Sequence, residues 1–172
     1  MPCPLLVDEA YVDFASTNCI DLVRTNPRIM VSRTLSKSYA LAGLRFGYLV
    51  AQPQVIAQLR KVKDSYNCDA LALAGATAAI DDQAWLRENV ARVRATRIKL
   101  FHGLEDRGFK PLASQANFVW TTHPSNAHEE IYLRLKDQGV LVRYMRYAGW
   151  GDGLRISVGT DAENEALLAM LG

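Results

Sequence analysis

Short apolar segments that alternate with polar loops constrain the fold of this chain most strongly. "LLV" at residues 5–7, "RIMVS" at 28–32 and "FGYLVA" at 46–51 have the length and apolar content of buried strands. "QVIAQLRKV" follows Pro53 and carries apolar residues at helical spacing, and proline is favoured in the first turn of a helix. Buried strands interleaved with helices predict a parallel or mixed sheet of the α/β class.

The second half of the sequence has a different pattern. An alanine- and leucine-rich stretch at 70–80 predicts a buried helix, and 82–106 predicts a long amphipathic helix. Strands are predicted at 117–122, 140–143 and 154–159, with helices between them and after them. Asn126 with Glu129, and Thr160 with Glu163, have the spacing of capping boxes. We interpret this half as a smaller α+β unit.

Composition narrows the possible classes of function. The chain has 172 residues and a net charge of +2, which gives no argument for binding nucleic acid or a membrane surface. Its three cysteines are scattered, and its histidines show no ligand-like clustering, so we expect no metal site. His123 and His128 are interpreted as surface residues. We expect a soluble cytoplasmic protein, since no apolar run could span a bilayer and no signal peptide is visible.

Lys37 is the first residue that could carry chemistry. It follows a predicted strand and is flanked by the hydroxyl side chains of Thr34, Ser36 and Ser38. A lysine at a strand end can form a Schiff base with a carbonyl compound if its surroundings lower its pKa. Taken alone, the pattern also fits an ordinary surface lysine in a polar loop.

Arg45 lies in the otherwise apolar stretch "LAGLRFG", which predicts that it is buried. A buried arginine needs an anionic partner, because an unpaired buried charge is costly. That partner could be a protein carboxylate or a ligand phosphate, which the guanidinium group matches well. The hydroxyls of Ser36 and Thr34 could donate to the same phosphate.

Asp8 directly follows the predicted strand at 5–7, where α/β proteins place ligand contacts. Its carboxylate could pair with a protonated ring nitrogen, and the phenol of Tyr11 could bond a ring oxygen. The alternative is that Asp8 or Glu9 caps a following helix.

Four motifs occur in order: "VDEAY", "TLSKSYALAGLRFGY", "NFVW" and "LRISVGT". Together they resemble the fold-type-I pyridoxal-phosphate-dependent aminotransferases, most closely the histidinol-phosphate branch. The resemblance covers essentially the whole chain. It implies that residues 1–70 are the remainder of a cofactor-binding large domain with a mixed, mostly parallel sheet. Residues 71–172 would then be linking helices and a small C-terminal α+β domain.

The resemblance also assigns roles. Lys37 would bond covalently to pyridoxal 5'-phosphate and later move a proton as the catalytic residue. Asp8 would hold the ring nitrogen protonated, and Tyr11 would bond the ring oxygen. The implied phosphate ligands are Arg45, Ser36 and, more weakly, Thr34.

In the second half, the resemblance places Arg155, Arg143 and Asn117 near the substrate. Arg155 would bind the carboxylate or phosphate of an amino donor or a 2-oxo acid, and Arg143 would assist it. The alternative for both arginines is exposed strand charge. For Asn117 it is a buried amide that satisfies backbone groups.

The chain has about half the length that the resemblance implies, so it looks like the C-terminal part of such an enzyme. We therefore expect exposed strand edges and association, as a homodimer or through those edges. The leading hypothesis is transamination of histidinol phosphate with 2-oxoglutarate in histidine biosynthesis, with a chain that is weak or inactive alone. Alternatives are another aminotransferase, an amino-acid-phosphate decarboxylase of the same fold, or a non-catalytic assembly partner.

Overall fold

A computed structural model describes residues 3–125 and 127–172. The chain divides into two compact units, Met1–Val90 and Ala91–Gly172. The elements of the first unit are β1 (Leu5–Asp8), α1 (Leu22–Thr25), β2 (Ile29–Thr34), β3 (Gly47–Val50), α2 (Pro53–Val62) and α3 (Ala70–Asp81). The long helix α4 (Gln83–Glu105) starts in this unit. None of the helices in the described residues is long and apolar enough to cross a membrane.

The first unit contains a three-stranded mixed sheet in the order β1-β2-β3. β1 runs parallel to β2 with Asp8 opposite Ser32, and β3 runs antiparallel to β2 with Tyr48 opposite Arg33. The three predicted strands and the mixed sheet are therefore confirmed, but two expectations are wrong. β1 and β3 are largely exposed rather than buried, and with one parallel and one antiparallel pairing the described part of this sheet is not mostly parallel. Because β1 and β2 are parallel, their carboxyl ends meet at one edge of the sheet, which is where the lysine loop begins.

The helix α3 corrects one expectation. It begins after Asp69, whose carboxylate accepts a hydrogen bond from the backbone N–H of Ala72 at 2.8 Å. We predicted a buried helix, but Leu71 is 80% exposed and Leu73 is 50% exposed. The buried residues of this helix are the small ones, Ala72 and Ala76. Apolar residues occur on all its sides, and the packing within this unit covers one side only.

The second unit is built on a four-stranded antiparallel sheet. Its elements are β4 (Lys110–Pro111), β5 (Phe118–Thr122), α5 (His128–Asp137), β6 (Arg143–Tyr147), β7 (Gly151–Ser157) and α6 (Asp161–Leu171). The strand order is β4-β5-β7-β6. Its core is a contiguous group of buried apolar side chains from α4, the turn after it, α5, α6 and the sheet: Leu100, Leu104, Phe109, Val119, Leu135, Leu154, Ile156 and Leu167.

The predicted helix ends in this unit are mostly confirmed. Gly108 and Gly139, with φ of +79° and +80°, follow α4 and α5, and glycine adopts this left-handed conformation without steric cost. Thr160 and Glu163 form the predicted capping box of α6. The strand predicted at 140–143 instead begins at Arg143, because the Val140 N–H bonds to Leu135 O and closes α5. Asn126, the other predicted cap, lies outside the described residues.

His128 was predicted at the surface, and this is wrong: it is 1% exposed. Its Nε2 accepts a hydrogen bond from the His123 backbone N–H at 2.7 Å, and its Nδ1 lies 3.0 Å from Asp152 Oδ1. These contacts require the tautomer that carries its proton on Nδ1. The first residue of a helix therefore fixes the end of β5 and a carboxylate on β7, a role that helical spacing does not reveal.

The contact with His128 makes the second unit sensitive to acid. The hydrogen bond from His128, followed by one from Tyr144, lowers the pKa of Asp152 below its ordinary value, although partial desolvation opposes the shift. A carboxyl with a depressed folded-state pKa stabilises the fold above its unfolded pKa, and this contribution is lost as pH falls through the folded pKa. The affected range is at and below about pH 4.

We expect Asp152→Asn to unfold at lower urea concentration than the wild type at neutral pH, because the charged hydrogen bond is lost. The difference between the two proteins in free energy of unfolding should be constant from about pH 6 to about pH 5 and should narrow as pH falls from about 4 to about 2. Urea unfolding of both proteins across this range measures it. Asp106→Asn, at an exposed position just after α4, is the control and should run parallel to the wild type. A gap that stays constant with pH would contradict the assignment.

Candidate active site

Asp8 is the last residue of β1, at the shared carboxyl edge of β1 and β2. Its side chain is exposed, and Oδ1 accepts a hydrogen bond from the Ala10 N–H at 3.0 Å. This bond orients the carboxylate through Oδ1. Asp8 does not cap a long helix: the element that follows is the 3-10 helix Val12–Phe14, whose N-terminal cap position is occupied by Tyr11.

Lys37 lies in a tight loop after β2. The loop is closed by hydrogen bonds from Ala40 N–H to Lys37 O at 3.0 Å and from Leu41 N–H to Leu35 O at 3.1 Å. Ala40 adopts a left-handed conformation with φ of +56°, which costs an alanine about 1 kcal/mol, so the surrounding structure must enforce it. The backbone of the loop is therefore held by its own hydrogen bonds, whereas the Lys37 side chain is exposed.

The amine of Lys37 lies over the ring of Tyr11. Its Nζ is 5.4 Å from the ring centroid, within the range of a cation–π interaction. Two residues that are 26 positions apart, and that were predicted to share one ligand, thus lie side by side. Sequence patterns identified the two residues as candidates, and the parallel pairing of β1 with β2 brings them close together.

The two hydroxyls beside Lys37 have different environments. Thr34 Oγ1 accepts from the Ser36 N–H at 3.1 Å and lies within hydrogen-bonding distance of Ser36 Oγ and of Phe46 O. Its single proton is thus engaged inside the loop. Ser36 Oγ can accept from Thr34 and still donate its own proton outward, which suits an anion.

Arg45 differs from the expectation. It is exposed, not buried, and its backbone is left-handed with φ of +52°. It ends the 3-10 helix Ala42–Leu44, and its Nη1 donates to Ala42 O at 2.9 Å. The physical reason is the change of backbone direction at this residue, which turns the guanidinium away from its apolar sequence neighbours. An exposed guanidinium needs no protein carboxylate, so the argument from burial does not apply to it.

Glu9 and Arg33 form a largely buried ion pair that local sequence patterns do not predict. Glu9 Oε2 lies 2.9 Å from Arg33 Nε and 2.8 Å from Nη2, and Glu9 Oε1 accepts from the Cys19 N–H. Partial burial lowers the pKa of Arg33, but hydrogen bonds to Glu9 and Tyr48 outweigh it and the net shift is upward. The pair joins the residue that follows Asp8, at the end of β1, to Arg33 on β2. An acidic residue after one buried strand and an arginine in the next were its sequence signal.

In the second unit, Arg155 lies on β7 opposite Trp120 of β5 and Arg143 of β6. Its guanidinium carbon is 4.7 Å from the centroid of the Phe118 ring. Its Nε is buried and has no hydrogen-bond partner among the described residues. A buried donor without an acceptor is unfavourable, so this side chain is suited to an anion that completes its hydrogen bonding.

Arg143 and Asn117 accompany Arg155 in this unit. Arg143 is exposed at the start of β6, which is an edge strand, and pairs across the sheet with Arg155. Asn117 is half-buried just before β5, and its carbonyl accepts from the Val158 N–H at 2.9 Å. The described residues thus group the predicted positions by unit: Asp8, Tyr11 and Lys37 in the first, and these three in the second.

Comparison with known proteins defines the class. Residues 2–171 match the family model described as aminotransferase class I and II, so the chain belongs to this family. A histidinol-phosphate aminotransferase of Rhodopirellula baltica is 56% identical over 169 residues, which are 98% of this chain and 47% of that protein. Histidinol-phosphate aminotransferase 1 of a Nostoc species is 48% identical over 97% of this chain and 47% of its own length.

A solved structure gives the same result at the level of the fold. Histidinol-phosphate aminotransferase from Sinorhizobium meliloti, in complex with pyridoxal-5'-phosphate, superposes with a TM-score of 0.88 and 32% identity. The match covers 98% of this chain and 47% of that one. The chain has the α/β aminotransferase fold and spans about half the length of the curated relatives that it matches.

Proposed function

We propose that this chain forms part of a pyridoxal-phosphate-dependent aminotransferase that transfers the amino group of histidinol phosphate to 2-oxoglutarate. The observation that carries the proposal is the Lys37 amine over the Tyr11 ring, at the carboxyl edge of a parallel strand pair. The 56% identity to a histidinol-phosphate aminotransferase supports this choice of substrate.

The first unit has side chains that fit the cofactor. An exposed lysine amine suits an aldehyde, an oriented and exposed carboxylate suits a protonated ring nitrogen, and Tyr11 offers a phenol. Ser36 and Arg45 offer a hydroxyl and an exposed guanidinium for a phosphate, with Thr34 shaping the loop. When bound, pyridoxal phosphate withdraws electrons from the substrate carbon that loses its proton.

Lys37 has two tasks in this reaction. Its amine would hold the cofactor and, once displaced by substrate, would take the proton from the substrate α-carbon and deliver it to the cofactor carbon that the lysine had held. The hydrogen-bonded loop supports both tasks, because it keeps the backbone of Lys37 in one place between the two steps. Tyr11, against the amine, orients it and excludes water from one side.

The second unit would bind the anionic groups of the substrates. The buried, unpaired Nε of Arg155 and its stacking on Phe118 support a bidentate contact with a phosphate or a carboxylate. Arg143, its cross-strand neighbour, would adapt the site to two anions of different size. Asn117 would contribute an amide near the same substrate.

The domain assignment is also part of the proposal. Residues 1–70 would be the remainder of the large domain and 71–172 the linking helices and the small domain. β1 and β3 are the edge strands of the first sheet, and Leu6 on β1 is 54% exposed. Such an edge supports association, as a homodimer or with a complementary polypeptide, and predicts that the 172 residues alone turn over weakly or not at all.

A related chemistry is the second candidate. L-Threonine-O-3-phosphate decarboxylase from Porphyromonas gingivalis shares the fold, with a TM-score of 0.82 at 18% identity. Its substrate also joins an amine to a phosphate ester, so the side chains described above would suit it. A third reading is a non-catalytic assembly partner, for which Lys37 would remain unmodified.

A donor panel tests the proposal. The chain is mixed with pyridoxal phosphate and then with histidinol phosphate, phenylalanine or threonine phosphate, and the change in visible absorbance is recorded. We expect the largest change in absorbance with histidinol phosphate, and no steady turnover with any donor. Arg155→Ala should bind histidinol phosphate about tenfold or more weakly than the wild type. Lys136→Ala, on the exposed face of α5, is the control. Release of carbon dioxide from threonine phosphate would favour the decarboxylase, and steady turnover would refute the expected inactivity.

A further inference from the structure

A second pair of polar side chains, Asp13 and Ser38, is next to Tyr11 and Lys37 in the sequence and has no part in the chemistry proposed above. Ser38 is 6% exposed, and its hydroxyl donates to the carboxylate of Asp13. A buried hydroxyl next to an exposed lysine is unusual for a surface loop, because loop serines ordinarily bond to water.

Asp13 belongs to the same short turn as Tyr11. The 3-10 helix Val12–Phe14 is closed by hydrogen bonds from Phe14 N–H to Tyr11 O and from Val12 N–H to Glu9 O, both at 3.1 Å. Because Asp13 lies in this hydrogen-bonded turn, a contact that holds its carboxylate also restrains the backbone that carries Tyr11.

Ser38 belongs to the loop of Lys37 in the same way. It is the next residue, inside the segment that the Leu41–Leu35 and Ala40–Lys37 hydrogen bonds close. Leu35 at the base of this loop is fully buried. The Asp13–Ser38 hydrogen bond thus joins two segments that are each closed by backbone hydrogen bonds, one carrying the phenol ring and the other the amine.

We propose that Asp13 and Ser38 are a positioning pair that sets the distance between the Lys37 amine and the Tyr11 ring. A lysine side chain has many rotamers, so its amine stays over a ring only if the two backbones are held at a fixed separation. A hydroxyl bound to a carboxylate provides this constraint, since charge-assisted hydrogen bonds are shorter and stronger than neutral ones. The part that concerns cofactor capture rests on the proposed function.

The first test needs no cofactor. Acetic anhydride labels lysine amines, and mass spectrometry of peptides gives the rate at Lys37 relative to other lysines of the same chain. We expect Ser38→Ala to raise the acetylation rate of Lys37 about two- to fivefold. This is the factor expected if one exposed cation–π contact, which stabilises the protonated amine, is lost. Tyr11→Leu should raise it by a similar factor, and the double variant no further, because the pair acts through the ring.

Rescue and control variants separate positioning from general packing. Ser38→Thr keeps the hydroxyl and should label as the wild type does, and Ser65→Ala, an exposed serine on the same unit, should change nothing. If circular dichroism shows that Ser38→Ala is unfolded, Asp13→Asn takes its place, with a smaller rise expected. An unchanged Lys37 rate, additive effects with Tyr11→Leu, or a failure of Ser38→Thr to rescue would each overturn the proposal.

The second test uses pyridoxal phosphate. We expect Ser38→Ala to capture it at Lys37 about two- to fivefold more slowly than the wild type, with Ser38→Thr restored. The released amine reacts faster with a small reagent, but it is no longer held at a fixed place beside Ser36, which would bind the cofactor phosphate. If the wild type does not capture it, the proposed function fails, but the labelling experiment still decides whether the positioning pair exists. Capture at the wild-type rate in Ser38→Ala would overturn the link between positioning and cofactor.

Discussion

Replacing Lys37 by alanine is expected to abolish covalent attachment of pyridoxal phosphate to the chain. The loop after β2 holds Lys37 together with Thr34 and Ser36, and the Lys37 amine lies over the ring of Tyr11. Lys37 is thus an exposed nucleophile with hydroxyl groups nearby that could bind a phosphate. Borohydride reduction followed by peptide mass spectrometry measures the attachment. We expect the label at this site in the wild type and a fall of more than about tenfold in the total label of Lys37→Ala.

The control is Lys61→Ala. Lys61 is exposed on α2, and its amine donates to Gln58 rather than lying against a ring. This variant should keep the wild-type label. Equal labelling of Lys37→Ala and wild type would refute the assignment of Lys37 and favour a non-catalytic partner.

Wherever amine transfer is measurable, as in a complex with a complementary polypeptide, Lys37→Ala should lower its rate by about 10²–10⁴-fold, since the proton-transfer group is removed.

Local patterns in the sequence predicted much of the fold. The three strands of the first sheet, the long helix at 83–105, the glycine-terminated helices and the Thr160 capping box follow from periodicity and from end signals within a few residues. Asp8 and Lys37 became candidates because residues that follow strands in α/β proteins meet at one edge, but each also had an ordinary local interpretation, and the family resemblance assigned them and Tyr11 to one site.

Features that depend on tertiary packing could not be predicted in this way. His128 is polar, is spaced like a surface residue and lies at the start of α5, yet backbone and carboxylate partners from other strands bury it. Arg45 lies among apolar residues but is exposed, because a left-handed turn redirects its side chain. In both cases the deciding contact or dihedral angle is not encoded by neighbouring residue types.

The Glu9–Arg33 pair was missed for a third reason: its two charges are 24 positions apart and each has an ordinary local interpretation. Only the parallel register of β1 with β2 brings the end of the first strand beside the second. The consequence for the site is that Asp8 is flanked by a buried charge whose pairing fixes the end of the strand. The same register brings Lys37 to Tyr11, so one strand pairing determines both.

The largest effect on stability is therefore expected from breaking this ion pair. The carboxylate of Glu9 is 5% exposed and the Arg33 side chain 18%, so Glu9→Ala leaves a largely buried guanidinium and the Cys19 N–H without their acceptor. Loss of one partner of a buried pair costs about 3 kcal/mol or more in the free energy of unfolding. Hydrogen exchange of the β1 and β2 amides, together with urea unfolding, measures the loss in this unit.

A matched comparison is available in the same chain. Lys99 and Asp161 form an ion pair of similar length, 2.9 Å, but their side chains are 65% and 53% exposed, so Lys99→Ala should cost less than about 1 kcal/mol. If Glu9→Ala costs no more than Lys99→Ala, the pair does not hold the strand ends together. If Glu9→Ala instead accelerates hydrogen exchange throughout β1 and β2, the ion pair is what keeps Asp8 at the edge where Lys37 and Tyr11 meet. The candidate site then depends on two residues, Glu9 and Arg33, that do not themselves bind a ligand.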